Sequence, residues 1–219
     1  MKTMKAYKGL PMEGPIAAWY SRITLKDLRR HALMARQLVG EIPEHGSVLE
    51  IAPGPGYFCL ELARLGQFHI TGLDVSRSFV AIASENAARA GIAVDFREGN
   101  ASHMPFDDET FDFTFCQAAF KNFTEPVKAI SEMYRVLKPH GVAVISDMRR
   151  DASPEDMKRE VQGMGLGGVN RALTLWTFTH VLLKSAYSVA DMESMVAQTP
   201  FVKCRIKAEG IGFQAWLEK

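Results

Sequence analysis

Between residues 47 and 147, short apolar runs alternate with longer amphipathic stretches, and this rhythm restricts the fold more than any other feature of the chain. The runs at 47–52, 69–74, 93–99, 111–116 and 141–147 have the length and apolar content of strands. The stretches at 57–66, 76–91 and 124–138 have helical length. They also carry helix punctuation: Ser76 as an N-cap, Gly91 as a terminator, and Thr124 ahead of a first-turn proline. Strands alternating with helices of this size imply βαβ crossovers and a parallel sheet covered on both faces. The expected fold class is α/β, a doubly wound and mainly parallel sheet. Ahead of this block, 24–39 reads as an amphipathic helix ended by Gly40 and Pro43. Behind it the rhythm changes. Residues 153–165 open like a helix at Ser153-Pro154, 169–187 read as a heavily apolar helix, and 188–199 begin with a capping box of Ser188 and Asp191. Residues 202–219 read as two antiparallel strands joined near Gly210.

A chain of 219 residues can bury one sizeable core, so the expectation is a single domain over 1–219. The expected division is an N-terminal segment and helix (1–44), an alternating strand–helix core (45–147), a helical insert (148–200) and a terminal strand pair (201–219). With 26 Lys and Arg against 25 Asp and Glu, the lopsided charge of a nucleic-acid binder is missing, and no nucleic-acid partner is expected. Cys59, Cys116 and Cys204 are widely spaced and form no CxxC pair, which suggests neither a zinc site nor a disulfide framework. No run reaches the roughly 18 apolar residues of a membrane span, and the N-terminus lacks an apolar signal core. The expected location is cytoplasmic, with no membrane span and a homodimer left open.

After the first strand comes "VLEIAPGPGYF", residues 48–58. The strand delivers Glu50, and Gly54 and Gly56 let a ligand approach the backbone beside the next helix. The dinucleotide fingerprint counted from Gly54 would need Gly at position 59, where Cys59 stands, and no Walker lysine follows. Pro53 and Pro55 remove two backbone donors that a pyrophosphate would use. A carboxylate at Glu50 repels phosphate and attracts ammonium. The ligand should therefore be nucleoside-like, carry an amino group and need no phosphate cradle, a description met by S-adenosylmethionine.

At this point the chain resembles the class I S-adenosylmethionine-dependent methyltransferases of the seven-stranded Rossmann-like, small-molecule type. The likeness covers roughly residues 45–150. "LEIAPGPGYF" is similar to the family's first motif, with Ala52 where the first glycine is usual. "ITGLDVS" ends a second strand on Asp74, the acid that in this family receives the ribose hydroxyls. "REGNASHMPFDDETFDF" resembles the segment that meets the adenine, and "EMYRVLKPHGVAVISD" the late helix-turn-strand block, with His140 where glycine is usual. The resemblance implies a seven-stranded sheet ending in the antiparallel pair. It also implies S-adenosylmethionine as cofactor, bound by Glu50, Ala52, Gly54, Gly56, Asp74, Val75, Asn100 and Ala101, with Gln117 and Tyr20 beside them.

The implied activity is methyl transfer to a small, apolar or aromatic acceptor, giving S-adenosylhomocysteine. Two alternatives stay open here: a non-catalytic S-adenosylmethionine-binding partner or sensor module, and a nicotinamide enzyme. The [DN]-P-P-[YFW] motif of amino-directed enzymes is absent from 116–123, where Gln117 and Asn122 are polar candidates for acceptor contact. His103, His180 and Tyr187 are candidate acids or bases. His31, on the first helix, is a weaker one. No metal-ligand set is visible. Asn100 can equally be a turn residue bonding its own backbone.

Overall fold

The computed structural model describes residues 7–9, 11–165, 167–177 and 183–219. Its centre is a seven-stranded sheet in the order β3-β2-β1-β4-β5-β7-β6. The strands are β1 (Ser47–Ile51), β2 (His69–Asp74), β3 (Asp95–Glu98), β4 (Phe111–Gln117), β5 (Leu137–Met148), β6 (Lys203–Glu209) and β7 (Gly212–Glu218). The first five pair in parallel, and β7 runs antiparallel to both β5 and β6. Strand order reverses beside β1, which lies between β2 and β4. In open α/β sheets the ligand crevice forms at such a reversal, beyond the carboxyl ends of the strands.

Helices cover both faces, as the uninterrupted apolar strands require. On one face Val48, Phe113 and Phe115 pack with Ala35 and Leu38 of α2 (Leu28–Leu38) and with Phe58 and Leu62 of α3 (Tyr57–Ala63). On the other face Leu49, Ile51 and Cys116 meet Ile130 and Met133 of α5 (Pro126–Val136) and Met192 and Val196 of α9 (Val189–Val196). Neighbouring residues of β1 thus serve opposite layers, as period-2 geometry dictates. Each fully buried Leu or Phe contributes about 1.5–3 kcal/mol against exposure. The crossover helix α4 (Arg77–Ala90) starts on Ser76, whose Oγ accepts from the Phe79 N–H, and stops at Gly91 with φ +65°.

Several elements differ from their sequence-based expectation. The expected helix at 24–39 is shorter, because Leu25–Asp27 form a 3-10 turn that separates α2 from a preceding helix, α1 (Gly14–Thr24). The helix expected to run to 138 ends at Val136, and β5 begins at once with Leu137. The pairing then slips between Phe111 and Phe113, so the Lys138–Gly141 turn is absorbed as an irregularity within the strand. His140 takes φ +67° there, the conformation that makes glycine usual at this place. Beyond β5 lie α6 (Pro154–Gly163), α7 (Gly168–Thr177) and the single turn α8 (Leu183–Ser185); of the helix expected over 169–187, residues 178–182 lie outside the described residues. The capping box of Ser188 and Asp191 forms as read. No described helix is long and apolar enough to cross a membrane.

Candidate active site

The carboxyl ends of β1, β2, β4 and β5 open into a cavity of about 810 Å³. Small-molecule sites span about 300–1,000 Å³. Its floor is the turn after β1. Ile51 pairs with Leu73 on one side and with Cys116 on the other, so Ala52, Asp74 and Gln117 stand at one level. Ala52 takes φ +57°, a left-handed conformation that explains why glycine is usual here, and its N–H still donates to Leu73 O at 2.8 Å. The turn closes through Gly56 N–H to Pro53 O at 3.0 Å, so the substitution leaves the loop intact.

Gly54 and Gly56 have different jobs. Gly54, at φ +53°, lines the cavity and donates its N–H to Asp74 Oδ2 at 3.0 Å. Gly56, at φ +78°, precedes α3 and is not among the cavity-lining residues. A Cβ on it would come within 2.7 Å of the Phe96 ring and 3.0 Å of the Ala83 Cβ, so this glycine lets the loop pack on α4 and β3.

Two carboxyls are buried in the cavity wall. Glu50 is 4% exposed and Asp74 5%. Burial pushes Glu50 up to about 7, against the Cys59 thiol, which donates to its Oε2 at 2.8 Å. Burial likewise pushes Asp74 up to about 6, although it accepts from Ser76 N–H at 2.9 Å and Gly54 N–H at 3.0 Å. Neither carboxyl has an ion-pair partner among the described residues. A third buried acid, Asp147 at the end of β5, is paired: Lys121 Nζ donates to it at 2.9 Å and to Ala118 O at 2.8 Å, while Lys121 N–H adds a bond of 3.0 Å. Asp147 is thus half of a buried ion pair.

Val75, Asn100, Ala101, Gln117 and Tyr20 also line the cavity. Asn100 Oδ1 accepts from Ser102 N–H at 2.9 Å, so its side chain also holds the turn. The three candidate acids and bases fare differently. His103 is exposed, contacts Lys128 and lies away from the cavity lining. Tyr187 is also outside the lining, because its hydroxyl accepts from Lys8 Nζ at 2.6 Å and its ring packs against Phe120. His180 lies outside the described residues.

His31, the weaker candidate, is brought into the wall. It follows the buried face of α2, sharing it with Ala35 and Leu38 at four- and seven-residue spacing. That spacing was the available signal. Its Nδ1 and the Oε1 of Gln117 are buried and unpartnered among the described residues. Burial lowers its basicity, so the ring is neutral near pH 7 and can accept a proton. The Tyr57 ring lies tilted against it at 5.9 Å, and the Tyr57 hydroxyl donates to Ser21 O in α1.

The roof comes from the N-terminal helix and from the segment after β5. Ile16, Trp19 and Tyr20 of α1 and Glu160 and Met164 from around α6 line its far side. The N-terminal segment is tied to the start of α4. Glu13 accepts from the N–H groups of Arg77 at 3.1 Å and Ser78 at 3.0 Å, Gly14 N–H donates to Ser78 Oγ, and Ser76 Oγ donates to Met12 O at 2.6 Å. A carboxylate on a helix N-terminus is favourable, and the Ser78 hydroxyl, with the N–H groups of Ser78 and Arg77, holds Glu13 below the usual carboxylate range.

Comparison with known proteins agrees with this geometry. A family model described as a methyltransferase domain matches residues 49–145. A demethylmenaquinone methyltransferase of Deinococcus radiodurans is 35% identical over 107 residues, covering 48% of this chain and 44% of that protein. The ubiquinone/menaquinone biosynthesis C-methyltransferase UbiE of Bartonella quintana is 30% identical over 148 residues, covering 66% and 52%. The chain spans about half the length of these curated relatives. A SAM-dependent methyltransferase structure from Aquifex aeolicus superimposes with a TM-score of 0.65 at 19% identity, covering 85% of this chain and 88% of that one. Residues 49–145 thus match a methyltransferase domain, and the seven-stranded sheet around them has the fold of the Aquifex aeolicus structure.

Proposed function

We propose that this chain transfers a methyl group from S-adenosylmethionine to a small, apolar or aromatic acceptor. The observation that carries this reading is the pair of buried carboxyls, Glu50 and Asp74, set in the cavity wall without a countercharge among the described residues. Such groups are costly to bury charged and favour a cationic guest with hydroxyl donors. When bound, S-adenosylmethionine supplies an activated methyl on its sulfonium and departs as S-adenosylhomocysteine.

In this reading Glu50 faces the ammonium at the amino-acid end of the cofactor. Asp74 spends one lone pair of each oxygen on a backbone N–H, which leaves capacity for two ribose hydroxyls. Val75 and Ala101 flank the adenine, Gln117 and Tyr20 lie toward the amino-acid end, and Gly54 keeps the floor free of side chain. Methyl transfer then needs an aligned acceptor and a dry site. The apolar roof of Ile16, Trp19 and Met164 suits both. For an acceptor that must lose a proton, neutral His31 is the base, with Gln117 beside it. The curated relatives named for menaquinone and ubiquinone substrates make a hydroquinone ring the first acceptor to try. A non-catalytic module would follow from Ala52 and the lack of an obvious base; the closed loop at Ala52 and His31 in the cavity wall speak against both grounds.

The test is incubation with S-adenosylmethionine and a panel of naphthohydroquinones, phenols, thiols and amines, following S-adenosylhomocysteine. Acceptor-dependent product is expected, and His31→Gln should lower its rate near pH 7, where the imidazole is neutral, with the difference narrowing as pH falls and the imidazole protonates, while leaving cofactor affinity unchanged. Binding of cofactor with no turnover across the panel would favour the sensor module, and no binding would reject the whole reading.

A further inference from the structure

The apolar surface of this protein is unevenly spread. Of the large hydrophobic side chains left exposed, Ile16, Trp19, Ile23, Leu25, Leu28 and Leu33 all fall within α1, the 3-10 turn and α2. Trp19 is 59% exposed and Leu33 67%. In α1 the spacing of Ile16, Trp19 and Ile23 puts them on one helical face, opposite the buried Ala17. In α2, Leu33 shares the outward face with Arg29 and Arg36, away from the buried Ala35 and Leu38.

Charge is concentrated along the same elements. Residues 14–36 hold five cations, Arg22, Lys26, Arg29, Arg30 and Arg36, against one acid, Asp27, in a chain whose net charge is only +1. All five are exposed. None joins an ion pair among the described residues. Exposed tryptophan and aliphatic side chains interleaved with unpaired cations are the chemistry of a helix lying in the plane of an anionic bilayer. A protein partner could bury the apolar side chains, but it would need matching acids. Nucleic acid would use the cations and leave the apolar side chains in water.

We propose that the outward faces of α1 and α2 dock onto an anionic lipid surface. Because Ile16 and Trp19 belong both to this surface and to the cavity lining, docking sets the cavity mouth against the bilayer. An apolar guest then passes between lipid and cavity without crossing water. The surface stands on exposure and charge alone, so it does not depend on the methyl-transfer reading.

The experiment is co-sedimentation of the intact protein, without cofactor or acceptor, with vesicles of phosphatidylcholine alone and of an equal phosphatidylglycerol–phosphatidylcholine mixture. Binding to the mixed vesicles is expected, with little to phosphatidylcholine and release by high salt. The triple variant Arg22→Gln, Lys26→Gln, Arg29→Gln, checked for folding by circular dichroism, should lose on the order of a hundredfold in partitioning, at about fivefold per cation. The vesicle-induced blue shift in tryptophan emission should vanish in Trp19→Phe. The proposal is overturned if mixed vesicles do not retain the protein, or if the triple variant binds them as well as the parent. It is also overturned if ultracentrifugation shows these faces buried in a dimer that the triple variant dissociates, or if duplex DNA is bound in preference to the mixed vesicles.

Discussion

The floor and the roof of the cavity are built on different principles. The floor, from β1, β2 and β4, places each group through backbone hydrogen bonds: Ala52 to Leu73, Gly54 to Asp74, Ser76 to Asp74. The roof, from α1 and the surroundings of α6, offers Ile16, Trp19 and Met164, all more than a third exposed. Directional bonds specify one ligand chemistry and tolerate little change. Apolar contacts exclude water and accept many shapes. The floor is therefore where a shared cofactor belongs, and the roof is where one protein can differ from another in its acceptor.

The largest expected effect lies at the edge of the floor. Lys121→Met leaves Asp147 buried and unpaired, and should cost about 3–5 kcal/mol in urea unfolding. Adding Asp147→Asn should recover most of that loss. A small effect of the single variant would show that the ion pair does not organise this end of the sheet.

Glu50 allows the next test, and its sign is unusual. Its carboxyl is raised by burial, so its contribution to stability is fully present below the ordinary carboxylate range and is lost as pH rises through about 7. Asp74 behaves alike, through about 6. Above pH 7 the cofactor-free protein carries both as buried charges. Glu50→Gln should therefore raise stability without cofactor by on the order of 3 kcal/mol near pH 8, and the gain should fade toward pH 4. Thermal melts across that range check it. A loss of stability at pH 8 would mean that the carboxylate is better solvated than its burial implies.

Smaller effects sharpen the contrast. Ala52→Gly relieves a left-handed residue and should stabilise by roughly 0.5–1 kcal/mol, since part of the gain is offset by unfolded-chain entropy. On the roof, Met164→Leu should leave stability within about 0.5 kcal/mol while shifting KM for the acceptor and not for the cofactor. A change in cofactor affinity there would erase the division between floor and roof.

The same division explains what could be read in the sequence. The strands, the turn at 52–56 and Asp74 were legible because backbone geometry demands particular residues: small ones at positive φ, an acid at a strand end, a cap before α4. His31 was underrated because its place depends on how α2 packs against α3 and the sheet, although its spacing with Ala35 and Leu38 carried the signal. Tyr187 and His103 looked reactive by residue type alone. Lys8 and Phe120 engage one, and the other sits in solvent beside Lys128. The partner of Asp147 was not legible, because Lys121 comes from the 3-10 turn after β4, 26 residues earlier.

The central claim is that Glu50 and Asp74 are held in readiness for a cationic nucleoside. Calorimetric titration of S-adenosylmethionine at about pH 7.5 and about pH 5.5 tests it most directly. Affinity should fall roughly tenfold or more at the lower pH, with proton release on binding there, and Glu50→Gln should bind weakly at both, with only the smaller pH difference that Asp74 leaves. Equal affinity at the two pH values, or tight binding by the Glu50→Gln variant, would contradict the account.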